Sequence, residues 1–300
     1  MRVYIEDTDA YGVVYNANYL KFYERALCVV PSMGPPFDDD PIIVAIQRQK
    51  FRSSPALGDE FVIQGTCKGT VVDDTQRPRQ IWDLSMTSID GKIIYHTAEQ
   101  VVVVSTPRNQ NWIPDVPSPF VSNDDGDDDD DSSFVSNTTQ GAIDSFTAYR
   151  DEFDPSMVSH LPLRSVLNHF ERLRTNLFGG PKELRRAQEE DGILFVVGTI
   201  QELCLLGYDR NQQQQEQQQQ QQSSSLVGET VTVRTHCHVR KGGMRIDLYQ
   251  TIYTSTGERM AQGVVTLYAL NQETRRPTSK LPQRILDRLQ MMRKKCPGEE

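Results

Sequence analysis

From Pro41 onward the chain alternates apolar and polar positions over long runs: "PIIVAIQRQKF", "LGDEFVIQGTCKG" and "RQIWDLSMTSIDGKIIYHTAEQVVVVS". A period of two predicts strands, and Asp90-Gly91 between two such runs predicts a hairpin turn. Ahead of them stand a strand-like segment, "RVYIEDTD", and the stretch "NYLKFYERALCVV". The latter is apolar or aromatic around most of a helical circumference, which predicts a deeply buried helix.

The same order returns further on, as "FTAYRDEFD", the helical pattern "LRSVLNHFERLRTNLF", then "GILFVVGTIQELCLL", "VGETVTVRTHCHVRKG" and "GMRIDLYQTIYTSTGERMAQGVVTLYALN". Gly58 answers Gly228, Cys67 answers Cys237, and Asp90-Gly91 answers Thr256-Gly257. The second helix carries more charge, so one of its sides is expected to face solvent. A sheet of this pattern buries one face only under a cover, and the single helix of each half is the candidate cover. The expected fold is α+β: two repeats, each an antiparallel sheet wrapped around one long helix, with the sheets joined edge to edge so that edge strands are protected.

The expected boundaries are 1–106 for the first repeat, 107–140 for a disordered acidic linker, and 141–272 for the second repeat. A glutamine-rich insertion at 211–225 interrupts the second repeat, where loop-closure entropy tolerates it. The basic tail, 273–300, spaces Leu281, Ile285, Leu289 and Met292 as an amphipathic terminal helix. Lying on an acidic membrane surface is the alternative for that helix.

Composition narrows the partners. The formal charge is −9, but seven aspartates lie in "NDDGDDDDD", so the rest of the chain carries only −2. The acidity belongs to a loop; it argues weakly against nucleic acid as a partner. No apolar run approaches the roughly 18 residues that cross a bilayer, so no integral membrane segment is expected. Five scattered cysteines without a C-x-x-C pair read as reduced thiols. The expected location is intracellular, cytoplasmic by default and organellar if a targeting segment precedes the first motif. No cofactor is implied.

The chemistry concentrates in "IEDTDAYGVVYNANYLKFYERA". Asp9 precedes a short link containing Gly12, which can take backbone angles barred to other residues. The helix is expected to start near Asn16 or Asn18, either of which could cap it. First-turn amides left over carry the positive end of the helix dipole and can hold a carbonyl oxygen as it gains charge. A carboxylate just upstream suits acyl transfer. Asp-x-x-Gly also builds ordinary turns, in which Asp7 or Asp9 only caps.

"EDTDAYGVVYNANYLKFYERA" resembles the signature of the 4-hydroxybenzoyl-CoA thioesterase-like branch of the hotdog superfamily, close to the bacterial Tol–Pal-associated acyl-CoA thioesterases. The resemblance implies a tandem double hotdog that hydrolyses an acyl-CoA thioester, with Asp9 as nucleophile or general base. It places the Asn16 amide at the carbonyl and makes Gly12, Tyr15 and Asn16 the candidates for oxyanion and substrate binding. The family often has histidine or proline at Asn16, and Asp7 reads as structural. In the second repeat Asp154 aligns with Asp9, but Met157 stands where Gly12 does and two extra residues precede the helix. One competent site is therefore expected, walled by both repeats, with His160 and His169 structural.

Other patterns are weaker. Lys50 and Arg52, with Arg77 and Arg79, are candidates for the phosphates of coenzyme A. His236 and His238 share one face of a strand, but no further ligand is evident for zinc. There is no G-x-S-x-G elbow and no Walker or dinucleotide-binding pattern. The rival readings are a non-catalytic acyl-CoA or acyl-carrier binding module and another hotdog activity such as enoyl-thioester hydration. A homo-oligomer through exposed sheet edges is left open.

Overall fold

A computed structural model describes residues 1–9, 12–29, 41–72, 78–105, 142–148, 161–206 and 228–293. The linker 107–140, the glutamine tract, Arg77, Asp154, Met157 and His160 lie outside these residues. In chain order the elements are α1 (Asn18–Leu27), β1 (Pro41–Phe51), β2 (Phe61–Val72), β3 (Pro78–Ser88), β4 (Ile94–Ser105) and β5 (Ala142–Thr147). There follow α2 (Leu163–Leu177), α3 (Pro181–Glu189), β6 (Ile193–Leu205), β7 (Thr230–Arg240), β8 (Arg245–Tyr253), β9 (Arg259–Asn271) and α4 (Gln283–Arg293).

The strands form one antiparallel sheet in the order β2-β3-β4-β1-β6-β9-β8-β7-β5. Its centre is the pairing of β1 with β6, Ala45 opposite Cys204 and Gln49 opposite Ile200. The sheets of the two halves thus join edge to edge, as the alternating pattern suggested. This explains the unbroken apolar run at the start of β1: a strand between β4 and β6 has neighbours on every side, and Pro41 to Ile46 are all buried. The order reads the same outward from the junction in both directions, β1-β4-β3-β2 and β6-β9-β8-β7, with β5 added at the far edge.

Matched hydrogen bonds reinforce that equivalence. Val3 donates to the Asp59 carbonyl and accepts from the Gly58 amide, while Ala148 donates to Glu229 and accepts from Gly228. Gly58 and Gly228 both have positive φ, 89° and 85°, which is why each repeat places glycine there. Asp9 follows Val3 by the same interval that separates Asp154 from Ala148.

Helix α1 is buried on two sides. Leu20, Tyr23 and Leu27 enter a core that also holds Ile43 and Ile46 of β1, Ile200 of β6, and Phe170 and Leu173 of α2. Tyr19 and Phe22 enter a smaller cluster with Val3, Val14, Phe61, Met86 and Tyr95. Full burial of such side chains contributes about 1.5–3 kcal/mol each. Helix α2 buries Leu163, Val166, Leu167, Phe170 and Leu173, at helical spacing, and keeps Asn168, Glu171 and Arg172 on its partly open side.

Three expectations need correction. "RVYIEDTD" forms no strand: it makes two isolated bridges, Arg2 to Glu60 and Thr8 to Val14, on either side of a 3-10 turn at Ile5–Asp7. The Asp7 carboxylate draws in the Tyr4 amide at 3.1 Å and bends the chain away from the sheet edge. The second half has more than one helix: α3 starts at Pro181, whose missing N–H costs nothing at a helix entrance. Neither asparagine caps α1, because both side chains are engaged elsewhere. Helix α4 packs Ile285 and Leu289 into the core, beside Leu281 just ahead of it, and pairs Arg284 with Glu183 and Asp191; the side chain of Met292 is not among those described. Among the described residues no helix is long and apolar enough to cross a membrane.

Candidate active site

The site is assembled on Asp7. This fully buried carboxylate accepts from Lys21 Nζ at 2.9 Å, and its backbone carbonyl accepts from the Tyr15 amide (3.0 Å) and Asn18 Nδ2 (3.1 Å). The turn before α1 and the first turn of α1 are thereby tied to one residue. The structural reading of Asp7 fits this arrangement.

Asp9 opens the next turn. Its amide donates to the Val13 carbonyl (2.9 Å), its carbonyl accepts from the Gly12 amide (3.0 Å), and its Oδ1 accepts from the Val13 amide at 3.4 Å. Gly12 has φ of 72°, an angle that favours glycine. A carboxylate has about four lone-pair positions, and the Val13 amide takes one of those of Asp9. Asp9 is half-buried, and its charge is felt by Tyr19: burial first, and Asp9 with it, hold the Tyr19 hydroxyl protonated well above its usual range.

The loop after β1 closes the other side. Val14 donates to the Pro55 carbonyl and Leu57 to that of Gly12, both at 3.0 Å. Arg52 lies on this loop with its side chain exposed and its amide bonded to Tyr95. Lys50 is instead held by Glu99 at 2.8 Å, with Arg48 joining the same carboxylate at 3.7 Å. Arg79 lies on β3 opposite Val104.

At the entrance to α1 the amides of Val14, Tyr15 and Asn18 are taken by Pro55, Asp7 and Tyr15. Those of Asn16 and Ala17 have no backbone acceptor among the described residues. Two amides at a helix N-terminus carry the positive end of the helix dipole and can hold an oxygen that gains negative charge.

The Asn16 side chain leaves the helix axis and reaches the second half, where Nδ2 donates to Glu171 Oε2 of α2 at 3.3 Å. Tyr15 meets the same carboxylate, and burial together with the Glu171 charge raises its hydroxyl far above the normal tyrosine range. The reverse contact also exists: Glu24 of α1 pairs with Arg164 of α2 at 3.6 Å. Between the halves lies an open cleft of about 500 Å³, lined by Tyr15, Phe146, Asn168, Glu171, Arg172 and Thr175 among others. His169 is buried with its ring 5.8 Å from that of Phe146, a packing position.

Sequence reasoning missed two groups here. Glu171 lies 155 residues from Asn16, and no local pattern marks it. His96 is fully buried among Tyr19, Tyr23 and Phe51, shares a 2.7 Å hydrogen bond with the Tyr23 hydroxyl, and is pushed down to about 3 by burial, so it stays neutral. An isolated histidine in an alternating strand gives no such signal. His236 and His238 face Tyr249 and Asp247 across β7 and β8, and no metal-holding group of three or more His, Cys, Asp or Glu occurs among the described residues.

No protein-family model matches the chain. A stretch of 26 residues is 73% identical to the acyl-CoA thioester hydrolase YbgC of Escherichia coli O6:H1, over 9% of this chain and 19% of that protein. A stretch of 25 residues is 76% identical to the acyl-CoA thioesterase YbgC of Helicobacter pylori strain ATCC 700392, over 8% and 19%. The chain thus spans about a fifth of the length of the curated relatives it matches.

Likeness among solved structures extends over nearly the whole chain. A putative oleoyl thioesterase from Lactobacillus plantarum superposes with a TM-score of 0.52 at 11% identity, covering 90% of this chain and 94% of its own. An acyl-ACP thioesterase from Bacteroides thetaiotaomicron gives 0.51 at 12%, covering 89% and 95%. At these identities the likeness shows the fold, and the chain has the α+β hotdog fold.

Proposed function

We propose that this chain is a thioester hydrolase that cleaves acyl-CoA to the free acid and coenzyme A, using one site in the first of two tandem hotdog repeats, 1–106 and 141–272. The observation that carries the reading is the Asp9–Gly12 turn leading to the start of α1, where the amides of Asn16 and Ala17 have no backbone acceptor among the described residues. The short stretch of high identity to YbgC thioesterases supports it, as does the overall likeness to acyl-thioester hydrolases. The mirrored strand order and the matched Val3 and Ala148 hydrogen bonds support the tandem reading.

In this reading the thioester carbonyl oxygen rests on the Asn16 and Ala17 amides, which stabilise it as it becomes an oxyanion. As nucleophile, Asp9 bonds to the carbonyl carbon and expels the coenzyme A thiolate, and water then hydrolyses the resulting anhydride. As general base, it takes a proton from the attacking water, and the thiolate leaves from the tetrahedral adduct. Gly12 lets the turn approach the substrate, Tyr15 walls the cleft, and exposed Arg52 is better placed for a phosphate than Lys50, which is paired with Glu99. The test is thiol release from acyl-CoAs by the wild-type chain and Asp9→Asn. A loss of about 10²- to 10⁴-fold in the variant is expected. Equal background rates in both, with acyl-CoA still bound, would leave a binding module.

A further inference from the structure

Glu171 belongs to the second half, yet its carboxylate ends at the entrance of the first half's helix. It is not a loosely placed surface group. Arg174 donates to its Oε2 at 2.6 Å, and Arg174 is itself only 4% exposed. The other arm of that guanidinium points to Gln250 Oε1 at 3.4 Å. The amide nitrogen of Gln250, a fully enclosed residue on β8, donates to the Phe170 carbonyl and to Thr235 Oγ1 of β7, both at 3.1 Å. A continuous polar chain therefore runs from β7 and β8 through α2 to Asn16 and Tyr15. A buried guanidinium must keep its acceptors, so this chain cannot reorganise cheaply. One carboxylate oxygen, Oε2, accepts from both Arg174 and Asn16 and so joins this chain to the α1 entrance.

Asn16 sits just outside the first hydrogen-bonded turn of α1, where a backbone has few bonds of its own. Holding its side chain fixes the peptide whose N–H stands at the helix entrance. We infer that Glu171 is a positioning residue: anchored by Arg174 and Gln250, it acts through Asn16 to hold the α1 entrance in place, so that the second repeat supplies order to a site whose chemistry lies in the first. This rests on the hydrolase reading for its effect on turnover, but the contact can be tested without it.

The experiment compares wild type, Glu171→Gln, Glu171→Ala, Asn16→Ala and the Glu171→Ala/Asn16→Ala pair by amide hydrogen exchange over residues 13–20 and by thiol release. Glu171→Ala should accelerate exchange there and lower kcat on the order of tenfold with KM little changed, because a donor is loosened and not removed. Glu171→Gln keeps an acceptor oxygen and should retain both properties. In the Asn16→Ala background, Glu171→Ala should add nothing. Since Glu171→Ala strands Arg174, the Glu171→Ala/Arg174→Met pair removes both charges and is read the same way if the single variant fails to fold. Unchanged exchange in these variants, or an undiminished Glu171→Ala effect without Asn16, would overturn the inference. A wild-type chain with no Asp9-dependent turnover would sink the hydrolase reading instead, and exchange alone would then decide whether Glu171 orders this turn.

Discussion

The two halves share strand order and turn glycines but differ in what surrounds their long helices. In the first, α1 is short, wrapped in Tyr19, Phe22 and Tyr23, and entered through the tight Asp9–Gly12 turn. In the second, α2 is half as long again, lies beside α3, and carries the buried Arg174 network. A six-residue strand, β5, pairs fully with β7 there, where the first half has one bridge at Arg2. The second half holds the additional secondary structure and the polar anchoring. In the proposed reading, this contrast makes one half the carrier of the chemistry and the other its frame.

The largest expected effect tests whether the frame is mechanically joined to the site. Phe170 is fully buried in the core shared by both helices, so Phe170→Ala should cost about 3–5 kcal/mol. Because β1 and β6 pair across the middle, urea unfolding followed by probes in either half should shift as one transition. Two separated transitions would break the comparison into independent domains.

Next comes acid. His96 is held at about 3 by burial, against about 6.5 in the unfolded chain. The unfolded state therefore binds a proton that the folded state refuses, and stability present above pH 6.5 is lost as pH falls toward 3. By pH 5 the loss from this group is about 2 kcal/mol. His96→Phe should lower stability at neutral pH, by stranding the Tyr23 hydroxyl, but flatten the slope between pH 6.5 and 4 in urea midpoints. A slope unchanged by the substitution would place the acid sensitivity elsewhere.

The smallest effect sharpens the contrast between turns. Gly12 and Gly257 both have positive φ, 72° and 87°, and an added Cβ would meet nothing within 4 Å at either. Alanine at each should cost about 1 kcal/mol of backbone strain, visible as similar shifts in Tm. Only Gly12→Ala should also slow thiol release. Equal activity in the two variants would deny the Gly12 turn its role.

Much of this was legible locally. The strand runs, Asp90-Gly91, and the paired glycines at 58 and 228 each report a backbone need that adjacent residues must satisfy. So does the turn from Asp9 to Gly12. What stayed hidden depends on partners far along the chain. Asn16 looks like a cap until Glu171 takes its side chain, and Asn18 until the Asp7 carbonyl takes its own. Helix α3, "PKELRRAQE", buries only Ala187 and so lacks the apolar periodicity that announces a helix. "RVYIEDTD" has a strand's composition, yet Asp7 turns it toward Lys21. Lys50 suits a phosphate until Glu99 is placed on the neighbouring strand.

The central claim is that one of two related halves carries the chemistry. The direct measurement is thiol release from a panel of aliphatic and aromatic acyl-CoAs by wild type, Asp9→Asn and Asp154→Asn, with folding checked by circular dichroism. The account predicts that Asp9→Asn loses about 10²- to 10⁴-fold while Asp154→Asn stays near wild type. Turnover that survives in Asp9→Asn, or falls equally in Asp154→Asn, would contradict it.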